Sequence, residues 1–98
     1  MLQIDIESAD GAVSRLQAPD ESVIGKGAHN EVRLEGWRIG KEHARLFATP
    51  SGVWLEDLGA FGGVLVNGQR ISGQHGPLRP DDVIGIGPYK LRVTPAPP

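Results

Sequence analysis

The chain contains no cysteine, which excludes disulfide bridges and thiolate metal sites. That absence suits a reducing compartment, and a cytoplasmic protein is the expectation. Long apolar runs are missing as well. Stretches such as Val64-Leu65-Val66 fall far short of the roughly 20 residues that span a bilayer, so no membrane insertion is expected. The start, Met1-Leu2-Gln3-Ile4-Asp5, lacks the basic-then-apolar order of a signal peptide. Aromatics are scarce: two Trp, two Phe and one Tyr. Neither charge dominates, since 10 basic residues meet 12 acidic ones for a net charge of -2. Without a basic field, nucleic acid is not an expected partner, and any anion site must be local. No segment has convincing helical periodicity, and there is no internal repeat.

What is present is glycine and proline, 14 and 8 among 98 residues. That supply suits many short strands joined by tight turns. The length fits one small domain and leaves no room for a deep enzyme cleft with a separate substrate domain. Leu2, Ile4 and Ile6 alternate with polar residues, the pattern of a half-buried strand. Weaker strand signals follow over Val13 to Ala18, Ser22 to Ile24 and Val32 to Leu34. Ala44 to Thr49, Val53 to Asp57, Val64 to Val66, Val83 to Gly87 and Tyr89 to Thr94 continue the series. Asn67-Gly68 is the strongest hairpin signal, because both residues tolerate the positive φ of a two-residue type I′ turn. Ser72 to Pro80 reads as loop. The reading is an all-β sandwich of about ten or eleven short strands, with binding loops at one end. It spans residues 1–94, and 95–98 reads as a proline-rich tail or the start of a stiff linker.

Several chemical readings fail on spacing. Gly36-Trp37-Arg38-Ile39-Gly40-Lys41 has one residue too few for a phosphate-binding P-loop, Glu42 stands where a hydroxyl residue is needed, and no helix follows. Gly85-Ile86-Gly87 precedes a strand, so it is no dinucleotide fingerprint. His29, His43 and His75 are not spaced as metal ligands, and no metal or cofactor is expected. Ser51 and Ser72 lie in ordinary turns, and adjacent Asp81 and Asp82 suit turn capping better than paired acid–base work. No feature supports an enzyme.

Five segments in order carry a resemblance. They are Val23-Ile24-Gly25-Lys26, Gly40-Lys41-Glu42-His43-Ala44, Trp54-Leu55-Glu56-Asp57-Leu58-Gly59, Val66-Asn67-Gly68, and the run from Leu78 to Gly87. Together, over about residues 20–94, the chain resembles a forkhead-associated (FHA) domain. The resemblance implies a β-sandwich whose end loops bind phosphothreonine peptides. It also places the phosphopeptide-site equivalents at Lys26, Gly40, Lys41, Phe61 and Gly62, and the loop-bracing residues at Gly25, His43, Asn67 and Gly68. Lys26 keeps the charge of the family's arginine but not its bidentate fork. Gly40 lacks the family's serine hydroxyl, Gly62 lacks the asparagine amide, and Phe61 replaces a hydroxyl residue.

Charge-assisted hydrogen bonds contribute roughly 1.5–3 kcal/mol each. Losing these donors therefore removes on the order of 4 kcal/mol, about a thousandfold in affinity. The expectation is an interaction module with a degraded phosphothreonine site, acting in regulation, signalling or assembly within a larger, secretion-associated bacterial machine. Its partner would be a protein, or a second copy of the chain, with phosphothreonine bound weakly if at all. The alternative is a working phosphopeptide site rebuilt on Lys26 and Lys41. Trp37, Arg38 and Phe61 are candidate protein contacts. Two placements are open for the aromatics: folded down to plug their own loops, or standing out as anchors.

Overall fold

The computed structural model describes residues 1–96, all of them in strands, turns and loops. Eleven strands form two sheets. They are β1 (Leu2–Glu7), β2 (Val13–Ala18), β3 (Glu21–Gly25), β4 (Val32–Arg33), β5 (Ala44–Thr49), β6 (Gly52–Asp57), β7 (Leu65–Val66), β8 (Gln69–Arg70), β9 (Gln74–His75), β10 (Ile84–Ile86) and β11 (Tyr89–Pro95). One sheet runs β2-β1-β11-β10-β7-β8 and the other β4-β3-β5-β6-β9. Among the described residues no helix is long and apolar enough to cross a membrane.

Period-two alternation decides which side chains meet. Leu2, Ile4 and Ile6 of β1 point inward beside Leu91 and Val93 of β11 and Ile84 and Ile86 of β10. Ile24, Ala44, Leu46, Val53 and Leu55 line the facing sheet, and all of these belong to one core cluster. At about 25 cal/mol per Å² of apolar surface, each buried Leu or Ile contributes roughly 1.5–3 kcal/mol. Asn67-Gly68 forms the expected tight turn, with φ of 53° and 83° and Val66 paired to Gln69. Asn67 also clasps a second turn. It accepts from the Val83 N–H at 2.9 Å and donates to Asp82, which in turn accepts from the Arg79 N–H at 2.8 Å. Asn67 thus braces the Arg79–Val83 turn, and Gly68 supplies the positive φ of the hairpin itself.

Two features differ from the sequence reading. Gln74–His75 pairs with β6 inside the stretch expected to be loop. Two polar residues carry no alternation, so the pattern could not show them. β11 also runs one residue further than expected, with Pro95 in register with Leu2 and the Ala96 N–H donating to the Met1 carbonyl at 2.9 Å. The nitrogen of Pro95 faces away from β1, where β10 no longer extends, so its missing N–H costs nothing. The rest of the proline tail, Pro97 and Pro98, lies outside the described residues.

β3 and β4 pair in parallel although the loop 26–31 alone joins them. The chain must leave the sheet, turn fully and return. Glu31 fixes the return by accepting from the Val23 N–H at 2.8 Å, and the Leu34 N–H donates to the Gly25 carbonyl at 3.0 Å. This excursion becomes one of three loops at the same end of the sandwich.

Candidate functional site

The three loops are 26–31, 34–43 and 58–64. Apolar anchors set their shape. Ile39 is buried in the middle of the second loop and Val64 at the end of the third. With Ile39 and His43 held inward, Trp37, Arg38, Lys41 and Glu42 are left outside. Val64 likewise leaves Phe61 and Gly62 exposed.

His43 ties the loops together. Its ring is wholly buried. The Gly40 N–H donates to Nδ1 at 3.0 Å, so the ring proton sits on Nε2, which donates to the Gly63 carbonyl at 2.7 Å. The His43 N–H donates to the Ile24 carbonyl at 2.7 Å, and its carbonyl accepts from the Leu58 N–H. One residue therefore joins the end of β3, the second loop and the third. Among the described residues no buried side-chain polar atom lacks a partner, so this network is closed without a ligand.

Lys26 and Lys41 emerge from a backbone rung. The Lys26 N–H donates to the Gly40 carbonyl and the Gly27 N–H to the Lys41 carbonyl, both at 3.0 Å. Asn30 adds a side-chain N–H to the Lys41 carbonyl. The rung explains Gly25: a Cβ there would lie 2.7 Å from the Gly40 oxygen and closer still to that of Lys41. Arg33 donates to the Lys26 carbonyl at 3.3 Å and pairs with Glu35. Lys26, Arg38, Lys41 and Arg70 make no ion pair among the described residues.

The position lacking a hydroxyl is also closed. A Cβ on Gly40 would stand 2.8 Å from the Cβ of Ala60, so the methyl of Ala60 takes the space a longer side chain would need. At Gly62 a Cβ would meet the Arg38 carbonyl at 3.3 Å. The aromatics go the other way. Trp37 is 86% exposed and Phe61 fully exposed, so neither plugs its loop. They line one groove of about 490 Å³ with Arg38, Gly62, Leu65 and Gly87. Arg38 holds its guanidinium 5.0 Å over the Trp37 ring.

Sequence reasoning overlooked Ile39, Asn30 and Arg70. The Arg70 guanidinium rests on Gly63, close enough that a Cβ there would meet it at 2.7 Å. The signal was available, since a two-residue turn at Asn67-Gly68 places Arg70 opposite Leu65, next to the third loop. His29 is an exposed loop residue and His75 lies in β9, so the three histidines stay apart. Two carboxylates that hold backbone in place have depressed pKa values. The Val23 N–H lowers Glu31, and the Arg79 N–H with the Asn67 amide lowers Asp82.

The family model for the FHA domain matches residues 22–87. The chain belongs to the FHA-domain family. FHA domains are protein-interaction modules. The FHA domain of CT664 protein from Chlamydia trachomatis is similar in fold, with a TM-score of 0.80, 22% identity and coverage of 98% of each chain. A structure solved for phosphothreonine-dependent FHA domain interactions gives a TM-score of 0.75 at 22% identity, covering 98% of this chain and 99% of that one. Mycobacterium tuberculosis EmbR in complex with a low-affinity phosphopeptide gives 0.79 at 23% identity, covering 98% of this chain and 25% of EmbR. No curated protein matches the chain. At these identities the likeness carries the FHA fold, and the loop residues must be judged on their own chemistry.

Proposed function

We propose that this FHA domain is a non-enzymatic protein-binding module whose loop end has given up most phosphothreonine reading. The observation that carries the reading is the exposure of Trp37 and Phe61 on one groove beside Gly40 and Gly62, which offer no side-chain donor. Aromatic residues dominate interface hot spots, and two exposed rings on one groove suit contact with a partner. Gly40 and Ala60 support the same reading, because the space a donor would occupy is filled. A regulatory or assembly role within a larger cytoplasmic bacterial machine fits such a module.

The test is titration with phosphothreonine peptide libraries at physiological salt. We expect dissociation constants weaker than about 100 µM, with little gain over unphosphorylated counterparts. A phosphate-dependent constant in the low micromolar range overturns the reading.

One observation favours a second reading. Lys26 and Lys41 leave adjacent positions of one backbone rung and make no ion pair among the described residues. They form a two-cation cradle for phosphate. Exposed lysines are solvated point charges, which gives this reading less binding energy. Replacing both by Ala abolishes phosphopeptide binding if the cradle operates and leaves binding unchanged if it does not.

A further inference from the structure

The groove also constrains what its occupant must look like. This step rests on the proposed function and adds the chemical class of the partner. The groove is concave, about 490 Å³, within the size range of pockets that take a few side chains. Its apolar part comes from Trp37, Phe61 and half-buried Leu65, and Gly62 and Gly87 complete its lining. Arg38 stands at this groove stacked over the Trp37 ring, with its charge unpaired among the described residues. Lys26 and Lys41 add positive charge to the first two loops, with Glu42 beside Lys41, and Arg70 of β8 rests against the third; none of the three cations makes an ion pair among the described residues.

We propose that the groove binds an unphosphorylated, acidic peptide segment of a partner protein. One apolar side chain seats between Trp37 and Phe61, and a neighbouring carboxylate pairs with Arg38. The bidentate fork of arginine suits a carboxylate, and aromatic walls suit an aliphatic or aromatic anchor. The charge pattern selects against a second copy in a two-fold contact, since such pairing repeats the same patch and brings Arg38 toward like charge.

The probe is a labelled peptide, Ser-Glu-Glu-Leu-Glu-Glu-Ser, titrated by fluorescence anisotropy at physiological salt. Companion arms replace every Glu by Lys, or the Leu by Ala. The acidic leucine peptide is expected to bind about tenfold or more tightly than either companion. Trp37→Ala and Phe61→Ala each weaken it by about tenfold or more, and both side chains are exposed, so the fold persists. Arg38→Glu reverses the preference toward the lysine peptide. Absence of binding up to roughly 1 mM, equal binding of the lysine peptide, or indifference to Arg38→Glu overturns the proposal. So does sedimentation with phosphatidylcholine–phosphatidylserine vesicles, or a dimer in light scattering, that Trp37→Ala abolishes. A phosphothreonine peptide without an apolar anchor, binding tightly through Lys26 and Lys41, instead overturns the proposed function. It leaves the groove arms to be judged separately.

Discussion

Gly40 and Ala60 share a space that holds a single methyl group. A side chain begun at Gly40 would start 2.8 Å from the Ala60 Cβ, inside any real contact distance. The two positions belong to different loops, so each constrains what the other can carry.

The consequence is a coupled pair of substitutions. Gly40→Ser alone is expected to destabilise the domain by about 1–3 kcal/mol through overpacking. Ala60→Gly should relieve much of that, leaving a favourable coupling of about 1 kcal/mol or more. A double-mutant cycle by urea denaturation measures it. Additive effects would show that the loops yield freely. Only the double variant offers a hydroxyl at this site without strain, so any gain in phosphothreonine binding should appear there first.

His43 joins the end of β3 to the second and third loops, and its removal should loosen all three. His43→Ala deletes a buried ring and leaves the Gly40 N–H and Gly63 carbonyl without their partner. A loss of about 2–4 kcal/mol is expected. Hydrogen exchange at Gly40 should accelerate in that variant relative to the strands. Protection that stays unchanged there would mean that the second loop holds its shape without the ring.

Gly25 and Gly11 make a controlled comparison. Gly11 has φ of 85° and open space around it, so Gly11→Ala meets backbone strain alone, about 1 kcal/mol. Gly25 has no such φ, but a Cβ there strikes the carbonyls of Gly40 and Lys41. Gly25→Ala should therefore cost more, roughly 2–3 kcal/mol, and should shift the amide resonances of Lys26 and Gly27 in particular. Equal costs for the two variants would count against the rung as the reason for Gly25.

Acid should weaken the fold through carboxylates that hold backbone. Asp82 lies below the ordinary 3.8 because of the Arg79 N–H, then the Asn67 amide, and Glu31 lies below 4.5 because of the Val23 N–H. In both cases the folded state prefers the ionised form. That contribution is complete above the unfolded-state values and is lost as pH falls through them and then through the lower folded values. Stability by urea denaturation should hold near neutral pH and decline below about 4.5. Asp82→Asn should be less stable at neutral pH and show a shallower decline. A variant whose acid slope matches the parent would exclude Asp82 from it.

Much of the sandwich was legible because alternation records which face is buried, as Leu2, Ile4 and Ile6 do in β1. Asn67-Gly68 was legible because few residue pairs accept its φ values. Gln74–His75 was not, since a two-residue strand at a sheet edge leaves no period to read. Gly40 and Gly62 announced missing donors, yet their sequence did not reveal that Ala60 fills the gap, which requires knowing how two distant loops meet. The outward stance of Trp37 and Phe61 was equally hidden. It follows from where Ile39 and Val64 plunge, and isolated apolar residues within loops give no direction.

The bond between the Ala96 N–H and the Met1 carbonyl has an architectural consequence. β11 leaves its turn beside Ile39, at the loop end, and runs about 20 Å before reaching Met1. Anything joined to either side of residues 1–96 departs from one spot, remote from Trp37 and Phe61. The domain is thus built as a plug on a two-pin socket. It can be carried by, or inserted into, another polypeptide with its grasping end facing outward, and cargo or label attached there leaves the groove unobstructed.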